Sequence, residues 1–296
     1  DLWFPDGNVV IKAEDRFFKV MREQLSCKSS MLSDMFSFLR TQDNDMMDGA
    51  PVVIFPDTAR DMTHFLKAIF VPNYFLPVPA PTTFEIVESV LRMSHRYRAV
   101  TLERHALAHL STAFDTKLEG FLDPKPTFDI HPEPSFESSG DIDFAVVTLA
   151  RDVGATWILP SAFYEAHLYS VEEICNGVAI PASGPGIVTP DMSLCLAGLA
   201  RIRRTSGPVT AFMACDVAGC TTQQACNAAR MRILVEDAAE WQSDPLNYFR
   251  HWIRETLPRR LCSVCYEHSC KVYMQWQQSF WDAVPGYFGL PSWEEL

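Results

Sequence analysis

A proline-rich stretch in the middle of the chain limits what the sequence can fold into, because it separates two parts with different patterns. Residues 123–141 contain four prolines among serine, glutamate and aspartate residues, which is typical of a linker. Strand-like runs alternate with helical patterns before it, and the pattern after it is almost wholly helical. The sequence therefore predicts the fold class α+β, with a mixed domain over 1–122, a linker over 123–141 and an all-α domain over 142–296.

The first part opens with the pattern of a β-hairpin and a helix. The β-branched run 9–11 and the apolar run 17–20 flank an acidic turn, which is typical of two paired strands. Ser29 and Ser30 then offer N-cap oxygens to a segment whose apolar residues recur at helical spacing. We expect a hairpin followed by an amphipathic helix.

A strand and three helices are predicted next. The apolar run 52–55 suits a strand that is buried on both faces. Thr58 and Thr82 each stand three residues before an acidic residue, which is the spacing of a capping box at a helix start. A third helix is expected from about 102 to 114.

The second part carries repeated signals for helix starts and stops. Gly154 is expected to end a helix that begins near Ile142, and Ser170 with Glu173 is expected to open another. Thr189 before Pro190 is a favourable start for a further helix. Later helical stretches are predicted over 223–241, 246–257 and 261–281.

Composition and charge exclude several classes of function. The net charge of −12 and the pI near 5.1 repel phosphate backbones and anionic lipids, so we expect no nucleic-acid partner and no membrane association. No apolar stretch reaches the roughly 20 residues that cross a bilayer. Nine scattered cysteines do not form a secreted disulfide framework, so an intracellular location, cytoplasmic or nuclear, is expected.

Several segments of the chain resemble those of a known family. Residues 18–25, followed by the helical pattern from Ser29, resemble the hallmark of the BTB/POZ domain, in which a second strand runs into a helix pair. Residues 53–57 and 65–70 resemble the next strand and helix of that domain. Met21 departs from the family, which usually has histidine at that position.

The two ends of the chain extend this resemblance. The opening segment 2–11 and the closing segment 281–293 are similar to fungal, basidiomycete-type BTB-domain proteins of unassigned function. The resemblance implies a protein-interaction module without catalysis, which forms a homodimer through apolar surface. By analogy, the candidate interface residues are Leu2, Trp3, Phe4, Met21 and Leu25.

The interface residues and the function each have an alternative interpretation. Trp3 and Phe4 can also serve only to cover the core of their own domain. Some BTB proteins are adaptors that bring substrates to cullin-type ubiquitin ligases, so a substrate adaptor with a cullin partner is an alternative function.

The cysteines after residue 170 suggest a metal site. Cys215 and Cys220 form one close pair, and Cys262 and Cys265 form another, so that together they offer the four thiolates of a structural zinc site. The gap of about forty residues between the pairs requires the intervening helices to fold back. Free cysteine is also among the most buried residue types, so four core cysteines without metal are the alternative.

A catalytic use of the same residues is the third alternative. A metal-dependent enzyme or a thiol nucleophile would need a histidine and an orienting group nearby, and His251, His268 and Asp216 are available. None of them falls in a recognised catalytic motif. The sequence therefore predicts a scaffold and not an enzyme.

Overall fold

The computed structural model describes most of the chain. The described residues are 2–38, 45–122, 142–176, 189–205, 216–236, 244–246 and 252–296. The predicted linker 123–141 lies outside them, as do Cys215 and His251.

A four-stranded mixed sheet forms at the start of the chain. Strands β1 (Val9–Ala13) and β2 (Arg16–Val20) make an antiparallel hairpin, and β3 (Met46–Met47) pairs antiparallel with β4 (Ala50–Phe55). The order is β2-β1-β4-β3, with β1 and β4 parallel. Parallel neighbours need a crossover connection, and the chain between β2 and β3 supplies it with a helix pair.

The two faces of the sheet differ in burial. Val9, Ile11 and Ala13 alternate along β1 and enter the core. Ile54 on β4 is 70% exposed, so the prediction that this strand is buried on both faces was wrong. The physical reason is that no element among the described residues covers the outer side of the sheet at Ile54.

The helices of the first part follow the predicted order, and the sheet packs against them. They are α1 (Arg22–Lys28), α2 (Ser30–Ser37), α3 (Ala59–Phe70), α4 (Phe84–Arg96), α5 (Val100–Ala113) and α6 (Leu118–Phe121). Ser29 caps α2 by accepting from the N–H of Leu32, and Thr58 caps α3 by accepting from the N–H of Asp61. The cap of α4 is Thr83 and not Thr82, because Thr83 is the residue whose hydroxyl reaches the first turn.

The described residues of the second part contain helices and no strand. These helices are α7 (Ile142–Asp152), α8 (Leu159–Ala166), α9 (Val171–Asn176), α10 (Thr189–Thr205), α11 (Gln223–Glu236), α12 (Leu257–Arg260) and α13 (Ser263–Tyr287). A 3₁₀ turn (Thr156–Ile158) precedes α8, and a π turn (Trp252–Thr256) precedes α12.

Two of the predicted helix boundaries in this part are confirmed in detail. Gly154 follows α7 with φ +70°, the left-handed conformation of a C-cap glycine. Ser170 and Glu173 exchange the two hydrogen bonds of a capping box at the start of α9. The mixed α+β class with a helical second part therefore agrees with the structure.

One large hydrophobic core joins both parts of the chain. Its buried residues run from Leu2 in the first part to Phe288 near the end of the chain. Trp281 of α13 packs on Phe121 with 4.5 Å between ring centroids, and its indole N–H donates to the carbonyl of Thr116 at 3.0 Å. The mixed part and the helical part are thus packed against each other, while the predicted domain limits remain a prediction.

A second, smaller core is separate from the first. It contains Val217, Leu257, Leu261 and Tyr273 together with two buried cysteines. Among the described helices, none is long and apolar enough to span a membrane.

Candidate metal centre

Four cysteine side chains meet inside the smaller core. The sulfurs of Cys220, Cys226, Cys262 and Cys265 all lie within 4.8 Å of one another. The sulfurs of Cys220 and Cys262 are 3.8 Å apart. Zinc–sulfur bonds of about 2.3 Å in a regular tetrahedron place the sulfurs about 3.8 Å apart, so the cluster has the dimensions of a zinc–thiolate site.

Local structure explains how the first pair is positioned. The chain turns at 217–220, where the N–H of Cys220 donates to the carbonyl of Val217. Gly219 has φ +80° in that turn, a conformation that glycine adopts without strain. Helix α11 begins three residues later and carries Cys226 on its first turn. The turn and the helix start thereby bring both sulfurs to one side of the segment.

The second pair stands at the start of the long helix α13. Cys262 is the N-cap residue, with extended backbone, and Cys265 lies on the first turn. The backbone N–H groups of a first helical turn have no partner within the helix, and together with the helix dipole they favour negative charge there. Both pairs therefore meet near helix N-termini, which stabilises thiolates.

Hydrogen bonds connect the two pairs and lower the pKa of two thiols. The backbone N–H of Cys262 donates to the sulfur of Cys226 at 3.3 Å, and the Thr222 hydroxyl lies 3.2 Å from the same sulfur. Burial raises the pKa of Cys226, but these hydrogen bonds outweigh it and the net pKa is lowered. Backbone N–H groups of Cys265 and Thr221 lower the pKa of Cys262 to about 5.

The other buried thiol behaves in the opposite way. Burial raises the pKa of Cys265, because the charged form loses its hydration. A metal ion bound among the sulfurs would reverse that effect, since coordination displaces the thiol proton. The four residues fit zinc by donor type, number and spacing, because sulfur in tetrahedral arrangement is the donor set of structural zinc sites.

The sequence identified three of the four clustered cysteines. Cys220, Cys262 and Cys265 come together as expected, and the fold-back between the pairs is present. The fourth sulfur belongs to Cys226, which sequence reasoning missed, whereas Cys215 lies outside the described residues. Five residues separate Cys220 from Cys226, one more than the spacing used to recognise a pair. The sequence signal that could have identified Cys226 is its place on the first turn of the helix predicted from residue 223.

The histidine and the remaining cysteine near α13 are not part of the cluster. His268 is exposed, and Cys270 is half-buried beside Tyr266. Among the described residues, the group with metal-binding geometry contains cysteines alone. A site with both histidine and cysteine ligands was one form of the enzyme alternative, and the described residues do not form one.

The five candidate interface residues have different environments. Leu25 is fully buried and Leu2 nearly so, and both belong to the large core, so they offer no surface to a partner in this arrangement. Phe4 and Met21 are half-buried, and Phe4 packs on Phe70. Trp3 is 40% exposed and joins the outer edge of β2 through a bridge to Lys19. The interface stays a prediction, and Trp3 is the most exposed of its five residues.

Comparisons with known proteins leave the family open. No protein-family model, no curated protein and no solved structure matches the chain. The resemblance to BTB/POZ domains therefore rests on the sequence segments and remains a prediction.

Proposed function

We propose that this chain is a non-catalytic protein-interaction scaffold of the BTB/POZ type, whose C-terminal helices are held together by a structural zinc ion. The observation that carries the proposal is the closed set of four sulfurs. Four protein ligands fill the tetrahedral coordination of zinc, whereas catalytic zinc sites keep one position for water or substrate. A centre of this kind stabilises the fold and offers no position for a reaction.

The order of elements in the first part supports the BTB/POZ proposal. A hairpin, a helix pair, the strand β4 that pairs parallel with β1, and the helices α3, α4 and α5 follow one another in the order expected from the resemblance, with the short elements β3 and α6 in addition. Domains of this kind act by presenting apolar surface to another polypeptide. The function proposed here needs such a surface and needs no catalytic residue.

An exposed apolar surface lies on the outer side of the sheet. Lys12 of β1 is in register with Phe17 on β2 and with Ile54 on β4, so these three side chains form one row. Trp3 is in register with Lys19 and therefore shares that side. We call Trp3, Phe17 and Ile54 the outer sheet face, since each has more than a third of its surface exposed. We propose that a second copy of the chain covers it.

Metal content tests the zinc part of the proposal. Protein purified without chelator should hold about one zinc ion per chain by mass spectrometry. Cys226→Ser should lose most of the metal, because a hydroxyl is a poor replacement for a thiolate ligand. Cys270→Ser is the matched control on α13 and should keep the metal. Zinc-free wild-type protein would contradict the proposal.

A Cys215→Ser variant decides which cysteine is the fourth ligand. The geometry assigns that place to Cys226, so Cys215→Ser should retain zinc. Loss of zinc from Cys215→Ser together with retention in Cys226→Ser would restore the assignment made from the sequence.

Sedimentation velocity tests the interaction part of the proposal. The wild-type chain should be dimeric at micromolar concentration, and Ile54→Lys should be monomeric, because a charge would be buried without a partner. Met274→Lys is the control, since Met274 is 67% exposed but lies on α13. A wild-type monomer at high micromolar concentration would exclude the homodimer.

A further inference from the structure

A buried arginine near the cysteine cluster lacks the partners that its charge requires. Arg230 on α11 is 1% exposed. Its Nη2 donates to the side-chain oxygen of Asn227, while Nε and Nη1 have no hydrogen-bond partner among the described residues. Buried charges are normally paired, and each unsatisfied buried group requires an explanation.

Hydrogen bonds from Asn227 and Gln223, and to a smaller extent the charge of Arg230, lower the pKa of Asp216, but Asp216 and Arg230 do not form an ion pair. Asp216 is exposed, and it accepts hydrogen bonds from Gln223 at 2.5 Å and from Asn227 at 2.9 Å. No ion pair within 4.0 Å joins Arg230 to a carboxylate in the described part of the chain. Asn227 thus stands between the two charges, and the exposed Asp216 compensates the buried guanidinium only in part.

The position of Arg230 on its helix places it beside the cluster. Arg230 follows Cys226 by four residues, so both lie on the same face of α11, one turn apart, and both are buried. Side chains on a helix lean toward its N-terminus, which brings the guanidinium over the turn that contains Cys226 and Asn227. The hydrogen bond to Asn227 agrees with that direction.

We infer that Arg230 is the counter-charge of the metal–thiolate centre. Four thiolates and one Zn²⁺ carry a net charge of −2, and the buried guanidinium one turn from Cys226 offsets part of it. This inference rests on the proposed zinc site. It assigns to Arg230 a positioning and charge-balancing role, without direct coordination of the metal.

Zinc affinity and the charge of Arg230 are therefore thermodynamically coupled. When zinc is bound, the guanidinium faces negative charge and stabilises the centre. When zinc is removed, protons return to sulfurs and Arg230 becomes a buried charge with less compensation. Replacing Arg230 by an apolar residue should therefore destabilise the zinc-bound form and should not destabilise the zinc-free form.

Zinc affinity is the first measurement. Competition with a fluorescent chelator should show about 10- to 100-fold weaker zinc binding by Arg230→Met, the usual size of effect for groups around a metal's ligands. Arg230→Lys keeps the charge and should recover part of the loss. Arg232→Met is the control, because Arg232 lies on the same helix with an exposed side chain. Far-UV circular dichroism verifies that each variant is folded.

Thermal unfolding with and without zinc is the second measurement. Arg230→Met should lower the melting temperature of the zinc-bound protein and leave unchanged or raise that of the zinc-free protein. A purely structural role for Arg230 would shift both temperatures downward by similar amounts, which would overturn the inference.

The two proposals fail in different ways. If the wild-type protein holds no zinc, both the zinc site and the role of Arg230 are wrong. If the wild-type protein holds zinc and Arg230→Met binds it as tightly, the zinc site stands and the inference on Arg230 alone is wrong.

Discussion

The two hydrophobic cores of this protein differ in how they join distant parts of the chain. The large core buries apolar side chains from both parts, including Phe65 of the first part and Phe144 and Trp281 of the second, and packing holds it together. The small core has six buried residues, of which two are cysteines. Small cores rarely supply enough apolar burial to be stable alone and use a metal or disulfides instead. With the proposed zinc ion bound, the four sulfurs would stabilise the small core as buried apolar area stabilises the large one.

Metal removal is the strongest way to test this difference. Structural zinc contributes on the order of 10 kcal/mol of apparent binding free energy, so a chelator should destabilise the small core more than the large one. We expect α11 and the first turns of α13 to lose protection in hydrogen exchange measured by mass spectrometry. Strands β1 and β4 should keep their protection, because their residues belong to the large core.

The sheet and the small core are expected to lose protection separately. Uniform loss of protection over the sheet and the small core would mean that the two cores unfold as one unit. Cys270→Ser should match the wild-type protein both before and after chelation, since Cys270 is outside the cluster.

A substitution in the large core should give the next largest effect. Trp281→Ala removes a fully buried ring and leaves the carbonyl of Thr116 without its donor, so the free energy of unfolding should fall by about 3–5 kcal/mol. Met274→Ala on the same helix should change it by less than about 0.5 kcal/mol, because Met274 is exposed. Urea denaturation measures both values.

The zinc content of Trp281→Ala shows whether a substitution in the large core also affects the small core. Folded Trp281→Ala should still bind about one zinc ion per chain, because Trp281 belongs to the large core alone. Loss of zinc from this variant under conditions in which it is still folded would mean that the stability of each core depends on the other.

The smallest predicted effect concerns a close approach of two helices. A Cβ atom on Gly198 of α10 would lie 2.1 Å from the ring of Phe288, so Gly198→Ala should cost about 1–3 kcal/mol of unfolding free energy. Gly286→Ala is the matched control, because a Cβ there meets no atom within 4 Å. Since alanine favours helix over glycine, that variant should be neutral or more stable by about 0.5–1 kcal/mol. Equal effects of the two substitutions, measured by thermal unfolding, would contradict the packing seen at Phe288.

Local signals in the sequence predicted local structure well. The caps at Ser29 and Thr58 and the capping box at Ser170 are confirmed, because each depends on residues within one turn of the chain. The hairpin follows for a similar reason, since its two strands and their turn lie close together in sequence. A strand was also predicted at β4, but its parallel pairing with the distant β1 was not.

Features that depend on tertiary packing were predicted less well. Cys226 joins the cluster because α11 and α13 start side by side, which its own sequence neighbours do not reveal. Leu2 and Leu25 were expected on a surface and are in the core, because an apolar residue has the same appearance in either place. Ile54 shows the reverse, as a strand residue with apolar neighbours that is nonetheless exposed.

Helix α13 has a consequence for spectroscopy, because it runs through both cores. Its 25 residues extend about 37 Å, from the cysteines at its start to Trp281 and Phe288 at its end. Trp276 lies between them, stacked on Tyr273 of the small core and packed on Phe280 of the large one. The fluorescence of the Trp276 indole is therefore sensitive to solvent that enters either core. Subtracting the emission of a Trp276→Phe variant from that of the wild-type protein isolates the contribution of Trp276.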